Sequence, residues 1–301
     1  MKYNSLIFSI LLLLLTVQEA RADFRVFACE PEWAALAEEI GGDEVSASSA
    51  THAMQDPHFI EARPSLIAKV RKADLVVCTG AQLEIGWLPM LLNKANNPSV
   101  LPGKKGFLET SAYVRRLDIP QSVDRSQGDV HPQGNPHVQM NPHNIRLIAV
   151  AMGERLAELD SANATHYEQG LSYFLQRWDE ATQEWDTRAK PLRGKKVVAY
   201  HKSWAYLEEW LELEEVATLE PVPGIPPTAA HLTHILSLLE TGGGASFIIY
   251  APYQSSKPGT WLAERTGIPL LVLPMTVGGS KQTATLFEQF DEILNQMLGA
   301  L

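Results

Sequence analysis

From Phe24 onward the apolar and polar positions follow two rhythms, short runs of β-branched and aromatic residues and longer stretches with apolar residues three and four apart. The short runs predict strands at 24–29, 45–50 and 75–79. Helices are predicted at 31–40, ended by Gly41-Gly42, at 64–72 with Pro64 in the first turn, and at 85–95, where Pro89 blurs the start. Residues 96–136 carry turn signals at Asn96-Asn97-Pro98 and Pro102-Gly103 and no clear rhythm. Two helices follow, at 144–159 and 163–189, the second about 40 Å long at ~1.5 Å per residue and thus long enough to bridge two lobes. The alternation then restarts, with strands at 196–200, 216–219, 246–250 and 270–273 between helices at 203–211, 228–240, 255–266 and 283–298. This βαβ pattern on both sides of a long helix predicts an α/β fold of two Rossmann-like lobes with parallel sheets. The expected boundaries are a lobe at 23–160, a linker helix at 161–190 and a second lobe at 191–301.

Residues 1–22 read as an export signal: Lys2 is basic, 6–17 is an apolar run, and Ala20-Arg21-Ala22 offers an A-x-A cleavage site. The run is too short to span a bilayer, and no cysteine lies nearby for lipid attachment, so a soluble, unlipidated periplasmic product is expected. A net charge of −10 without basic runs argues against nucleic acid or an anionic membrane surface as partner. Cys29 and Cys78 end predicted strands; they pair if those strands are neighbours and otherwise remain two buried thiols, and the sequence leaves both readings open. Two cysteines are too few for a cysteine-rich metal site.

The chemistry centres on Gly134-Asn135-Pro136-His137-Val138-Gln139-Met140-Asn141-Pro142-His143, where two prolines each precede a histidine. Proline stiffens the backbone, and a held neutral imidazole is a good ligand for a borderline metal such as zinc. Open α/β sheets bind ligands beyond the carboxyl ends of their strands. His58 follows the second strand, His201 directly follows the strand at 196–200, and His137 lies in the central loop, so an interlobe cleft could collect all three. His131 and His143 flank the central loop and read as solvated, with metal relay or ligation as the alternative. His231 and His234 read as a wet helix face, His166 as structural and His52 as a reserve candidate. No G-x-S-x-G, H-E-x-x-H, G-x-x-x-x-G-K-[ST] or G-x-G-x-x-G motif is placed for catalysis or phosphate binding, so an enzyme is not expected.

Three ordered segments carry a family resemblance: Asp56-Pro57-His58 with Arg63-Pro64-Ser65 and Ala73-Asp74-Leu75-Val76-Val77; Gly134-Asn135-Pro136-His137-Val138 with Asn141-Pro142; and Val198-Ala199-Tyr200-His201-Lys202-Ser203-Trp204-Ala205-Tyr206. They resemble the ligand segments of the zinc/manganese solute-binding proteins of ABC transporters, the ZnuA-like group of helical-backbone metal receptors. The resemblance implies two lobes on a long rigid helix, metal bound between them by His58, His137 and His201, and delivery to a membrane permease, with room for a periplasmic metal chaperone and a monomeric receptor. Zinc-binding members carry histidine at the third position where manganese-binding members tend to carry a carboxylate, so His201 favours Zn²⁺ over Mn²⁺ as the transported ligand. The loop at 274–281 lacks the aspartate that many relatives supply. Glu61, three residues after His58, is the candidate fourth ligand, with water or a second loop histidine as alternatives. The histidine-rich acidic loop of zinc-specific relatives is reduced to Asp124, Asp129 and His131. Rival expectations are a zinc-dependent hydrolase with Glu61 as base, and a receptor for a siderophore or haem, which would need Arg, Tyr or aromatic groups facing the cleft.

Overall fold

The computed structural model describes residues 24–122, 124 and 128–301; the expected export signal lies outside them. Strands β1 (Phe24–Ala28), β2 (Val45–Ser49), β3 (Leu75–Cys78) and β4 (Phe107–Glu109) form a parallel sheet in the order β2-β1-β3-β4. Strands β5 (Lys196–Ala199), β6 (Glu214–Thr218), β7 (Phe247–Tyr250) and β8 (Leu270–Val272) repeat that order as β6-β5-β7-β8. The central strands are apolar apart from Arg25 in β1 and Lys196 in β5, and Leu75-Val76-Val77-Cys78 is wholly buried, as a parallel sheet covered by helices on both faces requires. In each sheet the chain moves outward on one side of the first strand and then returns to the other. The resulting switch point opens a crevice at the carboxyl ends, between β1 and β3 and between β5 and β7.

Helices α1 (Pro31–Gly41), α2 (Pro64–Lys72) and α3 (Leu88–Ala95) serve the first sheet. Next come α4 (Pro142–Leu159) and α5 (Ala164–Arg188), and α6 (Ala205–Leu211), α7 (Ala229–Thr241), α8 (Lys257–Thr266) and α9 (Leu286–Gly299) serve the second sheet. Two starts differ from expectation by three residues, for identifiable reasons. Pro89 sits in the first turn of α3, where its missing N–H costs nothing, so the helix begins at Leu88 and not at 85. Thr285 caps α9 in a reciprocal box with Glu288, which sets the start at Leu286 and not at 283. Strand β4, in the stretch without rhythm, has only three residues and is defined by its pairing with β3.

The long helix α5 buries Tyr167, Phe174, Trp178, Thr182 and Trp185, a stripe at helical spacing. Trp178 lies 4.9 Å from Phe287 and 5.6 Å from Phe290 of α9, and its indole N–H donates to the Pro142 carbonyl of α4 at 2.9 Å. The helix runs unbroken through Gly170, whose lack of a side chain has a steric reason, since a Cβ there would stand 2.0 Å from the Ile40 carbonyl of α1. One continuous apolar cluster therefore runs from Val26 and Trp33 through Ile145, Met152 and Trp178 to Phe290, Val197 and Phe247, joining both sheets through the helices. Lobes that share a core of this kind resist independent motion.

Cys29 and Cys78 form a disulfide, with Cα atoms 4.8 Å apart. Each follows a residue of the Ala28–Val77 register pair of β1 and β3, so the two strands are neighbours.

Candidate metal centre

His58 lies in the run of turns after β2. Asp56 fixes it locally: one carboxylate oxygen accepts the His58 backbone N–H at 3.0 Å and faces the ring Nδ1 at 2.7 Å, while the Trp87 indole donates to the Pro57 carbonyl at 2.9 Å. His201 is held from farther off. It lies just beyond β5, and Glu220, just beyond the neighbouring β6, sets its carboxylate 2.7 Å from the His201 Nδ1. In both cases the carboxylate favours the hydrogen on Nδ1, which turns Nε2 into the ring's electron-pair donor.

His137 owes its position to backbone bonds more than to its prolines. Gly134 turns the chain at φ +100°, with Leu117 O only 2.7 Å from where a Cβ would be. Asn135 then donates its backbone N–H to Leu117 O at 2.8 Å and its side-chain amide to Lys202 O at 2.8 Å, and its Oδ1 accepts from the His137 N–H at 3.1 Å. The Tyr206 hydroxyl closes the arrangement, donating to Asn135 O at 2.9 Å and accepting from Leu117 N at 3.1 Å.

These three independently held rings meet. One ligating nitrogen from each of His58, His137 and His201 lies within 4.8 Å of the other two, and the rings face each other edge-on with centroids 5.6–6.2 Å apart. His137 is 1 % exposed, and its Nε2 is buried without a hydrogen-bond partner among the described residues, an arrangement that costs free energy unless something binds there. Burial, with the imidazoles of His58, His201 and His131 nearby, holds His137 well below the ordinary histidine range. Burial works against the ionised Asp56, but its bonds to His58 prevail and lower its pKa. A neutral imidazole between anchored neighbours is the form that binds a metal.

Glu61 is exposed and stands outside this cluster. The loop histidine that does approach is His131: its Nε2 is 3.2 Å from that of His58, the two rings stack at 5.3 Å, and burial with the charges of His58 and His201 pushes it down to about 4. Four other histidines have local partners. His143 lies 3.5 Å from Asp186 on the surface, His231 pairs with Thr218 O at 2.9 Å, His166 holds Gly41 O at 2.8 Å, and His52 Nδ1 accepts from Met54 N at 3.3 Å.

Sequence reasoning did not find Glu220, Asn135, Tyr206 or Tyr253. Only sheet order reveals the first, because β6 is adjacent to β5. Tyr253, after β7, has its phenol pushed far up by burial and by the charges of Asp56, Glu220 and Glu32. Behind His137 lies a cavity of about 20 Å³, room for one water, bounded by Glu30, Glu32, Gln139 and Tyr253. Glu32, 1 % exposed, is pushed up to about 7 by burial and accepts from the Thr276 hydroxyl at 2.5 Å, which joins the two lobes. The cavity bordering His131, His137 and His201 is about 70 Å³. A separate cavity of about 630 Å³ is bounded by Leu88, Leu92 and Phe107 and touches none of the three clustered histidines.

The crystal structure of ZnuA superposes with a TM-score of 0.75 at 24% identity, covering 91% of this chain and 99% of that one. The Mn-bound periplasmic metal binding protein from Candidatus Liberibacter asiaticus gives 0.73 at 18% identity, covering 92% and 99%. At these identities the likeness shows the fold. The metal ABC transporter substrate-binding lipoprotein ScbA of Streptococcus cristatus is 26% identical over 166 residues, 54% of this chain and 50% of that protein. The manganese ABC transporter substrate-binding lipoprotein scaA of Streptococcus gordonii is 27% identical over 145 residues, 47% of this chain and 44% of that protein. The chain thus spans about half the length of the curated relatives it matches. Residues 26–300 match the family model described as zinc-uptake complex component A, periplasmic, and the chain belongs to that family of uptake components, which are not enzymes.

Proposed function

We propose that this chain is the extracytoplasmic substrate-binding component of an ABC metal importer, binding Zn²⁺ between its lobes through His58, His137 and His201 and delivering it to the membrane permease. The observation that carries this reading is the buried, unpartnered Nε2 of His137 beside two imidazoles whose Nδ1 atoms face carboxylates. Imidazole suits zinc, whereas Mn²⁺ favours oxygen donors, so the donor set supports zinc even though several relatives are named for manganese. A space of about 70 Å³ beside the histidines suits an ion and is far below the roughly 300 Å³ a small organic ligand needs, which argues against a siderophore or haem. No described helix is long and apolar enough to cross a membrane. Export with cleavage after Ala22, without lipid attachment and as a monomer, belongs to the same proposal, although the streptococcal relatives are named lipoproteins.

Metal analysis and competitive titration of residues 23–301 test it, with His201→Ala in parallel. The expected result is one tight equivalent of zinc, not displaced by excess manganese and lost in the variant. Absence of stoichiometric metal, or unchanged zinc binding without His201, refutes the proposal.

A further inference from the structure

The triad supplies three donors, and the loop after β8 offers no carboxylate to complete a four-coordinate site. The geometry points to His131 as the fourth ligand, carried to the cleft by the segment 128–134 and making the site all-imidazole; this rests on the receptor reading above. Zinc–imidazole bonds of about 2.0–2.1 Å at a tetrahedral angle place two ligating nitrogens about 3.3 Å apart. The Nε2 atoms of His131 and His58 are 3.2 Å apart, although His131 is not among the three histidines whose ligating atoms all lie within 4.8 Å of one another. Such a separation also fits a simple hydrogen bond between two neutral rings, so the placement of the segment has to distinguish the two.

That placement is built into both lobes. The Asp129 N–H donates to Pro223 O at 3.0 Å, tying the segment to the loop after β6, while His131 reaches the first lobe's His58. Two glycines make the crossing possible. Gly128 has φ +72°, and a Cβ there would meet Pro223 O at 2.2 Å; Gly224 has φ +78°, with the Asp129 carboxylate packed where its Cβ would be. Gly224 N–H donates at 2.9 Å to the same Glu220 oxygen that faces His201 Nδ1 at 2.7 Å. One loop therefore orients His201 through its carboxylate and positions the segment bearing His131 through its backbone. A hydrogen-bonding role alone would not require His131 to be referenced to the opposite lobe's ligand.

A fourth nitrogen in place of the expected carboxylate makes His131 a specificity residue, since it removes the oxygen donor that would favour Mn²⁺. Cobalt(II) is the probe, because four-coordinate tetrahedral Co²⁺ absorbs visible light far more strongly than its five- or six-coordinate forms. The loaded wild-type protein should show the intense tetrahedral bands. His131→Ala should still take one equivalent but lose most of that intensity, and its zinc affinity should fall by at least the roughly 10–100-fold typical of losing an outer-sphere partner. His131→Asp should recover zinc affinity in part while raising manganese affinity. Gly128→Ala, which leaves every imidazole in the chain, should move the cobalt spectrum in the same direction as His131→Ala, by less. Wild-type zinc affinity and an unchanged cobalt spectrum in His131→Ala would overturn the inference and leave the receptor reading standing, provided His201→Ala abolishes binding. Absence of stoichiometric metal in the wild-type protein would overturn both.

Discussion

The two lobes hold an imidazole at the carboxyl end of a sheet by different means. In the first, Asp56 grips His58 from two residues away, within a run of turns, and its side chain is 39% exposed. In the second, Glu220 grips His201 from 19 residues away, across adjacent strands, and both side chains are 12% exposed. Water screens a charge that it reaches, so the buried carboxylate should polarise its imidazole more strongly than the exposed one. Glu220 also accepts the Gly224 N–H, whereas both hydrogen bonds of the Asp56 carboxylate among the described residues go to His58. The first lobe supplies a local clamp, and the second supplies one wired into the surrounding loop.

The largest expected effect treats the halves as equals. Alanine at His58, and separately at His137, should each cost zinc affinity more than the roughly 100-fold upper range for outer-sphere losses, as read by calorimetric titration against a chelator. If His58→Ala bound zinc as tightly as wild type, the first lobe would contribute no ligand and the comparison would collapse.

A smaller effect separates the halves. Glu220→Gln should lower zinc affinity roughly 10–100-fold, and Asp56→Asn by an amount near or below the lower end of that range. Both substitutions retain a hydrogen-bond acceptor, so the difference reports charge and burial. Equal losses, or a larger one at Asp56, would show that burial does not rank the two clamps.

The same contrast explains what the sequence could and could not reveal. Both sheets were legible because buried parallel strands such as Leu75-Val76-Val77-Cys78 are continuous apolar runs, and α2 was legible because Pro64 marks its start. His58, His137 and His201 were legible as candidates from their places after extended or stiff segments, whereas the grip of Asp56 on His58 was not. Glu220 was not, because its role depends on β6 lying beside β5, a fact of sheet order that no local pattern encodes. Nor could spacing rank Glu61 against His131. Glu61 is three residues from His58 in the chain and is left on the surface, whereas His131 is 73 residues away and reaches that ring. Strand β4 escaped because three residues are too few to show a period.

The switch points supply the smallest and most selective contrast. That of the first sheet is cross-linked by Cys29–Cys78 and buries Glu30, Glu32 and Glu84 beside it, at 1–3 % exposure. Burial pushes Glu32 up to about 7, while in the unfolded chain it ionises near its ordinary 4.5. Between those values the folded protein binds more protons than the unfolded one, so this group's contribution is full below about 4.5 and is lost as the pH rises towards 7. Glu32→Gln has no proton to lose and keeps an oxygen for the Thr276 hydroxyl that joins the lobes. Its melting temperature should equal that of wild type near pH 4, pull ahead through the window up to pH 7, and stay ahead by a few degrees at pH 8, where about 1 kcal/mol amounts to roughly 2–4 °C in a chain of this size. Depressed histidines such as His131 push stability the opposite way with pH, but they are common to both proteins and cancel in the difference, provided a chelator keeps metal away. A gap that did not change with pH would mean that Glu32 ionises in the folded state as freely as in the unfolded one, and that the two switch points differ in packing and not in charge.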